Sequence, residues 1–440
     1  MSVVRTIDLR LEQGFEPIQD LLKKSEIMEK NFQIKFGQDV QNYVSDIISK
    51  VKDSGDEALR CFAEKFDGFR PDALEVSETE IEHAYNDLDD LTIQRLKKAA
   101  DNIVAYQKRL MPQDMPLSGI AGAQTGGRYT AVRKAGIYVP GGRAPLCSSV
   151  LMNVIPAVVA GVKEIYMCTP AGVDGLIAKE ILAAAKIAGA TKVFRLGGAQ
   201  AIAALAYGTE TVPAVDTIAG PGNIFVTYAK KEVFGKVNID MLAGPSEVLI
   251  VADNTANPRF IAADMLAQAE HDPLASAIAI LTDENMVDKI KQEIEILLKG
   301  ASTEETARQS LRDYSAIVLV KDMQQAIDAA NLISTEHLMI QTKDNDMVAN
   351  SIVNAGAIFI GSYSSEALGD YFAGPCHTLP TGGSANAFSA LSCLTFIKQT
   401  SLIKYSQQAF NDVASDVVAL ADLEGLHMHK MSVEVRREQK

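Results

Sequence analysis

Apolar residues recur at intervals of three and four from Met1 to about Leu110. The segments FGQDVQNYVSDIISKVKDSG and LDDLTIQRLKKAADNIVAYQKRL carry this spacing most clearly. It gathers the apolar side chains on one helical face, so this part of the chain is expected to be helical. Near Gly127 the rhythm changes. Short runs rich in β-branched and aromatic residues alternate with helical ones: YTAVRKAGIYVP, a helix over 148–161, KEIYMCTP, GLIAKEILAAAKIAG, TKVFRLGG, AQAIAALAYG, VDTIAGPG and NIFVTYAKKEVFG. The alternation then restarts with SEVLIVAD, NPRFIAADMLAQAEHDP, SAIAILTD and a charged helix from about Glu284. It continues through SAIVLVKD, MQQAIDAANLIST, EHLMIQTKD, DNDMVANSIVN and AGAIFIGSY. Such alternation predicts mostly parallel sheets covered by helices. The fold class expected is α/β: two successive, incomplete Rossmann-like units plus helical N- and C-terminal segments. The two units share a rhythm but no close sequence repeat. Beyond Pro380 comes a Gly/Ser-rich loop, TGGSANAFSALS, then helices to a frayed tail, EVRREQK.

Size and charge narrow the function. With 440 residues, the chain is long enough for two or three domains with large cores. A formal net charge of -14, spread rather than in blocks, argues against nucleic acid or an anionic membrane as partner. The N-terminus MSVVRTIDLRLEQGFEPIQD has no apolar segment of signal-peptide type. The longest apolar stretch, 150–162, is interrupted by Asn153 and Pro156 and is too short to span a bilayer. Five cysteines without a Cys-x-x-Cys pair read as reduced thiols in a cytoplasmic protein. A small-molecule enzyme is the class that fits.

Histidine occurs only six times, so its placements carry information. His83 lies in a polar helix and reads as a surface residue. In QAEHDP, Gln268 and His271 share a helix face and form half of a metal site, or else merely end a helix before Pro273. In LGDYFAGPCHTLPTGG, Asp370 and His377 follow a strand, where ligands of open α/β sheets gather, or else belong to a structural loop. In LEGLHMHK, His427 and His429 cannot face one way on a helix. Glu424 and His429 are not neighbours on one either, so a solvated tail competes with a metal-binding one. In STEHLMI, Glu336 and His337 sit together in an apolar run. At a helix-to-strand junction both reach one pocket as a carboxylate and an imidazole for general-base work, or else they cap the helix. No G-x-G-x-x-G occurs, but the Gly clusters VPGGRAP, LGGAQA and AGPGN follow strands and open helices, as phosphate sites do. Ser246, in AGPSE, is a candidate hydrogen-bonding group before a strand.

Eight segments in fixed order, GIYVPGGRAP, GGAQAIAALAYGT, AGPGN, AGPSEVLI, QAEHDP, STEHL, NAGAIFIGSYSSEALGDYFAGPCHTLPT and LEGLHMH, make nearly the whole chain resemble the histidinol dehydrogenase family. The resemblance implies a four-electron oxidation of L-histidinol through its aldehyde to L-histidine, the last steps of histidine biosynthesis, with two NAD+ consumed. It implies one Zn2+ per subunit on Gln268, His271, Asp370 and His429. Glu336 and His337 become the catalytic pair, with Glu336 activating water and His337 taking protons. Substrate contacts fall on Ser246, Gln268, His271, His337, Asp370, His377, Glu424 and His429, and NAD contacts on Tyr138, Gln200 and Asn223. The implied partner is a second copy of the chain, in an intertwined homodimer with shared active sites. The implied layout is an N-terminal arm (1–25), a first α/β domain (26–137 and 246–385), an inserted NAD-binding domain (138–245) and a helical dimerisation segment (386–440).

Two departures stand out: Cys376 where Asn is expected before His377, and TGGSANAF in place of a run ending in Arg-Phe. Neither removes a metal ligand or the Glu-His pair. Two other readings compete. One is a paralogous dehydrogenase for another polar alcohol, such as a sulfonated diol, which would call for Arg or Lys where Glu424 stands. The other is a zinc-dependent binding protein without turnover.

Overall fold

The computed structural model describes residues 3–12, 14–19, 39–141 and 145–437. Residues 1, 2, 13 and 20–25 of the arm, 26–38 of the expected first domain and 142–144 of VPGGRAP therefore lie outside the described residues. The strands are β1 (Arg5–Asp8), β2 (Met115–Ile120), β3 (Ala123–Ala131), β4 (Lys134–Tyr138), β5 (Glu164–Thr169), β6 (Lys192–Arg195) and β7 (Thr217–Ala219). They continue with β8 (Asn238–Ile239), β9 (Glu247–Ala252), β10 (Ser276–Leu281), β11 (Ala316–Leu319), β12 (His337–Gln341), β13 (Ala357–Ile360) and β14 (Ile397–Tyr405). The chain divides into two compact units: Met1–Leu110 with Arg133–Phe396, and Met111–Val132 with Ile397–Lys440.

The first unit holds two parallel sheets, as α/β alternation requires. One has the order β6-β5-β4-β7-β8, the other β1-β11-β10-β9-β12-β13. The central strands EVLIVA and SAIAIL are buried at every residue, because helices cover both faces. In each sheet the chain builds outward from one strand and then crosses to its other side. This puts a topological switch point between β4 and β7, and another between β9 and β12.

Three expectations change. First, the N-terminal region is not wholly helical: RTID forms β1, which pairs in parallel with β11. A four-residue edge strand, three of whose residues are exposed, is too short for alternation to register. Second, the helices of 40–110 pack on the five-stranded sheet, whereas the sequence grouped 26–137 with 246–385. The helix Val40–Asp67 buries Val44, Ile47 and Leu59 against Phe194, Leu205 and Val226. The helices Glu78–Asn86 and Asp90–Leu110 pack against Lys179–Ala188 and Cys147–Ala160. β4 also begins four residues before the expected boundary at 138. Periodicity locates a helix's apolar face but not the surface it will meet.

Third, 386–440 is not simply helical. IKQTSLIKY forms β14, which pairs antiparallel with β3 along its whole length. Its residues are exposed or half-buried, so its pattern lacks the apolar alternation that marks a strand. β14, β3 and β2 make the sheet of the second unit, followed by the helices Gln407–Leu423 and His427–Arg437. This unit exposes Ile120, Ile403, Leu420, Leu423 and Met428.

Candidate active site

The helix Met323–Ile333 ends at Ser334, whose φ of 51° turns the chain sharply into β12. Glu336 and His337 thus enter at the amino end of the strand, beside the start of β9. Both side chains grip the Glu247 peptide of that neighbour. Its N–H donates to Glu336 Oε2 at 2.8 Å, and its carbonyl lies 3.1 Å from His337 Nδ1. A carbonyl only accepts, so Nδ1 carries the ring proton and Nε2 is left with a lone pair. Nε2 is buried, has no hydrogen-bond partner among the described residues, and lies 3.8 Å from Asp370 Oδ1. Burial pulls the His337 pKa down to about 4, against the opposing pull of Asp370, so the ring is neutral at physiological pH. Burial pushes Glu336 well above the usual carboxylate range, and Glu247, Glu366 and Asp370 add to the effect.

Two helices run back to this end of the sheet. After β9, Pro258–Ala269 returns and sets Gln268 in its last turn, 1% exposed, with Oε1 unpartnered among the described residues. His271 follows just beyond. After β13, Glu366–Tyr371 returns and presents Glu366 and Asp370, four residues apart and so on one helical face. Ligand atoms of His271, Glu366 and Asp370 all lie within 4.8 Å of one another. The site therefore gathers at the amino ends of the six-stranded sheet, not beyond the carboxyl ends where Asp370 and His377 were expected. The returning helix carries them across the sheet.

Glu366 escaped the sequence reading. It is 2% exposed, one of its oxygens is unpartnered, and the other lies 3.6 Å from His337 Nδ1. Its four-residue spacing from Asp370 is too common in helices to have marked it in the sequence. His377 is held at both nitrogens: Nδ1–H donates to the Asp370 carbonyl at 3.0 Å, and Nε2 lies 3.1 Å from the Ser149 hydroxyl, which donates to it. Cys376, the first departure, is buried with its thiol donating to the Met152 carbonyl at 3.2 Å.

Gln268, His271, Glu336, His337, Glu366, Asp370 and His377 line one cavity of about 270 Å³, together with Ser246, Ser148 and Pro140. Among the described residues, no Lys or Arg lines it. A buried amide oxygen, an imidazole and crowded carboxylates without a cation are a donor set that suits a divalent ion such as zinc. Glu424 and His429 are not among these lining residues; they belong to the second unit, where both are exposed.

The three expected NAD contacts meet in another cavity, of about 370 Å³, at the carboxyl ends of β4, β6 and β7. The Tyr138 hydroxyl accepts from Gly198 N–H at 3.1 Å, Gln200 is buried, and Asn223 caps the helix Ile224–Val233 through Phe225 and Val226 N–H.

The comparisons agree in direction. The family model for histidinol dehydrogenase matches residues 32–437. A histidinol dehydrogenase from Prochlorococcus marinus is 48% identical over 415 residues, 93% of this chain and 94% of its own. One from Bacillus cereus is 44% identical over 98% of this chain and all of its own. The crystal structure of histidinol dehydrogenase from Elizabethkingia anophelis has a TM-score of 0.92 at 34% identity, covering 100% of this chain and 99% of that one. The chain belongs to the histidinol dehydrogenase family.

Proposed function

We propose that this protein oxidises L-histidinol to L-histidine through the bound aldehyde, the closing steps of histidine biosynthesis. The observation that carries the reading is the clamp on the Glu247 peptide, which leaves His337 Nε2 bare inside a cavity of cation-seeking donors. Gln268, His271 and Asp370 would hold a zinc ion, with Glu366 in the same donor cluster and His429 supplied by a partner subunit. When bound, zinc supplies a fixed positive anchor that orients the substrate's imidazole and amino nitrogens. NAD+, bound on the five-stranded, incomplete Rossmann-like unit near Tyr138, Gln200 and Asn223, supplies the hydride acceptor, twice per turnover.

His337 Nε2 takes the hydroxyl proton as the first hydride leaves the alcohol carbon. Glu336 takes a proton from water as the oxygen adds to the aldehyde carbon, and His337 gives its proton to the carbonyl oxygen, which completes the hydrate and frees Nε2 again. His337 then takes a hydroxyl proton of the hydrate as the second hydride leaves. Holding the aldehyde in the cavity between steps protects it from escape. Ser246, His377 and the partner's tail, including Glu424, complete the substrate contacts in a shared-site homodimer. Five unpaired cysteines suit a cytoplasmic setting. A sulfonated substrate would call for Arg or Lys where Glu424 stands. NADH formation from L-histidinol and NAD+, with and without a chelator, tests the reading. No NADH from the zinc-loaded protein would refute it.

A further inference from the structure

The cavity at Tyr138, Gln200 and Asn223 has walls of Tyr43, Ile47, Phe66 and Phe225, and one carboxylate among its lining residues, Asp67. Asp67 is the last residue of the helix Val40–Asp67, held there as the chain leaves through Gly68 at φ 74°. No hydrogen bond or ion pair to a described residue engages its side chain. Burial alone lifts its pKa to about 6, so at neutral pH it is mainly ionised yet short of donors. Asp67 also lines an adjoining cavity of about 390 Å³, whose lining includes Pro140, and Pro140 lines the active-site cavity in turn. The three cavities thus share walls in succession, a layout that suits an extended dinucleotide.

We propose that Asp67 makes this enzyme choose NAD over its 2′-phosphorylated counterpart; this rests on the NAD-dependent reading given above. Hydride transfer requires the nicotinamide beside His337. The aromatic-walled cavity therefore receives the adenosine half, and the flat rings of Tyr43, Phe66 and Phe225 suit its base. Its ribose diol offers two O–H donors, and an unpartnered carboxylate accepts both. A 2′-phosphate in that position brings two further negative charges against Asp67 and removes a donor. Asp67 is a specificity residue; it stands apart from the reacting atoms.

Calorimetric titration of the zinc-loaded enzyme with NADH and with NADPH reads this directly, without turnover. Wild type binds NADH at least about tenfold tighter than NADPH, a difference of about 1.4 kcal/mol. In Asp67→Ala the NADH affinity falls and the ratio narrows to about threefold or less. Asp67→Asn, isosteric and uncharged, narrows the ratio with a smaller loss of NADH affinity. A ratio unchanged in both variants overturns the proposal while leaving NAD-dependent histidinol oxidation standing. Wild type that binds neither dinucleotide overturns both.

Discussion

The role proposed for His337 depends on where its proton is. The Glu247 carbonyl fixes Nδ1–H, so Nε2 is the basic atom, and burial keeps it neutral. In His337→Asn the amide still reaches that carbonyl but offers no base. NADH formation is expected to fall by about 10³-fold or more with zinc content unchanged, as elemental analysis would report. Full activity in this variant would remove His337 from its role. Gln268→Ala deletes the buried, unpartnered amide oxygen. Zinc per subunit is expected to fall, and normal zinc would count against Gln268 as a ligand. Glu336 and His337 were legible as adjacent letters in an apolar run, where two titratable groups need a reason. Glu366 was not. An acid in the first turn of a helix is ordinary, since it complements the helix dipole, and only burial beside Asp370 marks this one as part of a site.

Among the elements, the AGPGN turn shows how a loop is held for binding. Gly220 sits at φ 121°, and a Cβ there would lie 2.0 Å from the Tyr138 carbonyl oxygen. Its N–H donates to Asp240 at 2.8 Å, and its carbonyl accepts from Lys230 Nζ at 2.9 Å. Lys230 and Asp240 are themselves a fully buried ion pair. Lys230→Met leaves the Asp240 charge without its cation, at an expected cost of about 3–5 kcal/mol in urea unfolding. Replacing Asp240 by Leu as well should recover part of that loss. A single-variant change below about 1 kcal/mol would show that the turn does not depend on the pair. The inner strands and their covering helices were legible, because full burial on both faces leaves continuous apolar runs such as EVLIVA. β1 and β14 were not: one is a four-residue edge, the other has no buried residue. The partner surface of the 40–110 helices, and the return of two helices to the amino ends of the strands, arise only in three dimensions.

At the scale of the whole molecule, the proposed site draws on two copies of the chain. Gln268, His271, Glu366 and Asp370 converge within one compact unit, while Glu424 and His429 are exposed in the other. If sites are shared across a two-fold dimer, two inactive variants complement each other. Mixing His337→Asn with His429→Ala under subunit exchange gives mixed dimers in which one site has both residues intact. About a quarter of wild-type activity should return. No recovery, with exchange confirmed by mass spectrometry, would put His429 outside a shared site. The central claim is the four-electron oxidation, and stoichiometry tests it most directly. With limiting L-histidinol and excess NAD+, the zinc-loaded enzyme should yield two NADH per histidinol, and none after chelation. One NADH with free aldehyde accumulating, or none at all with zinc bound, would contradict the account.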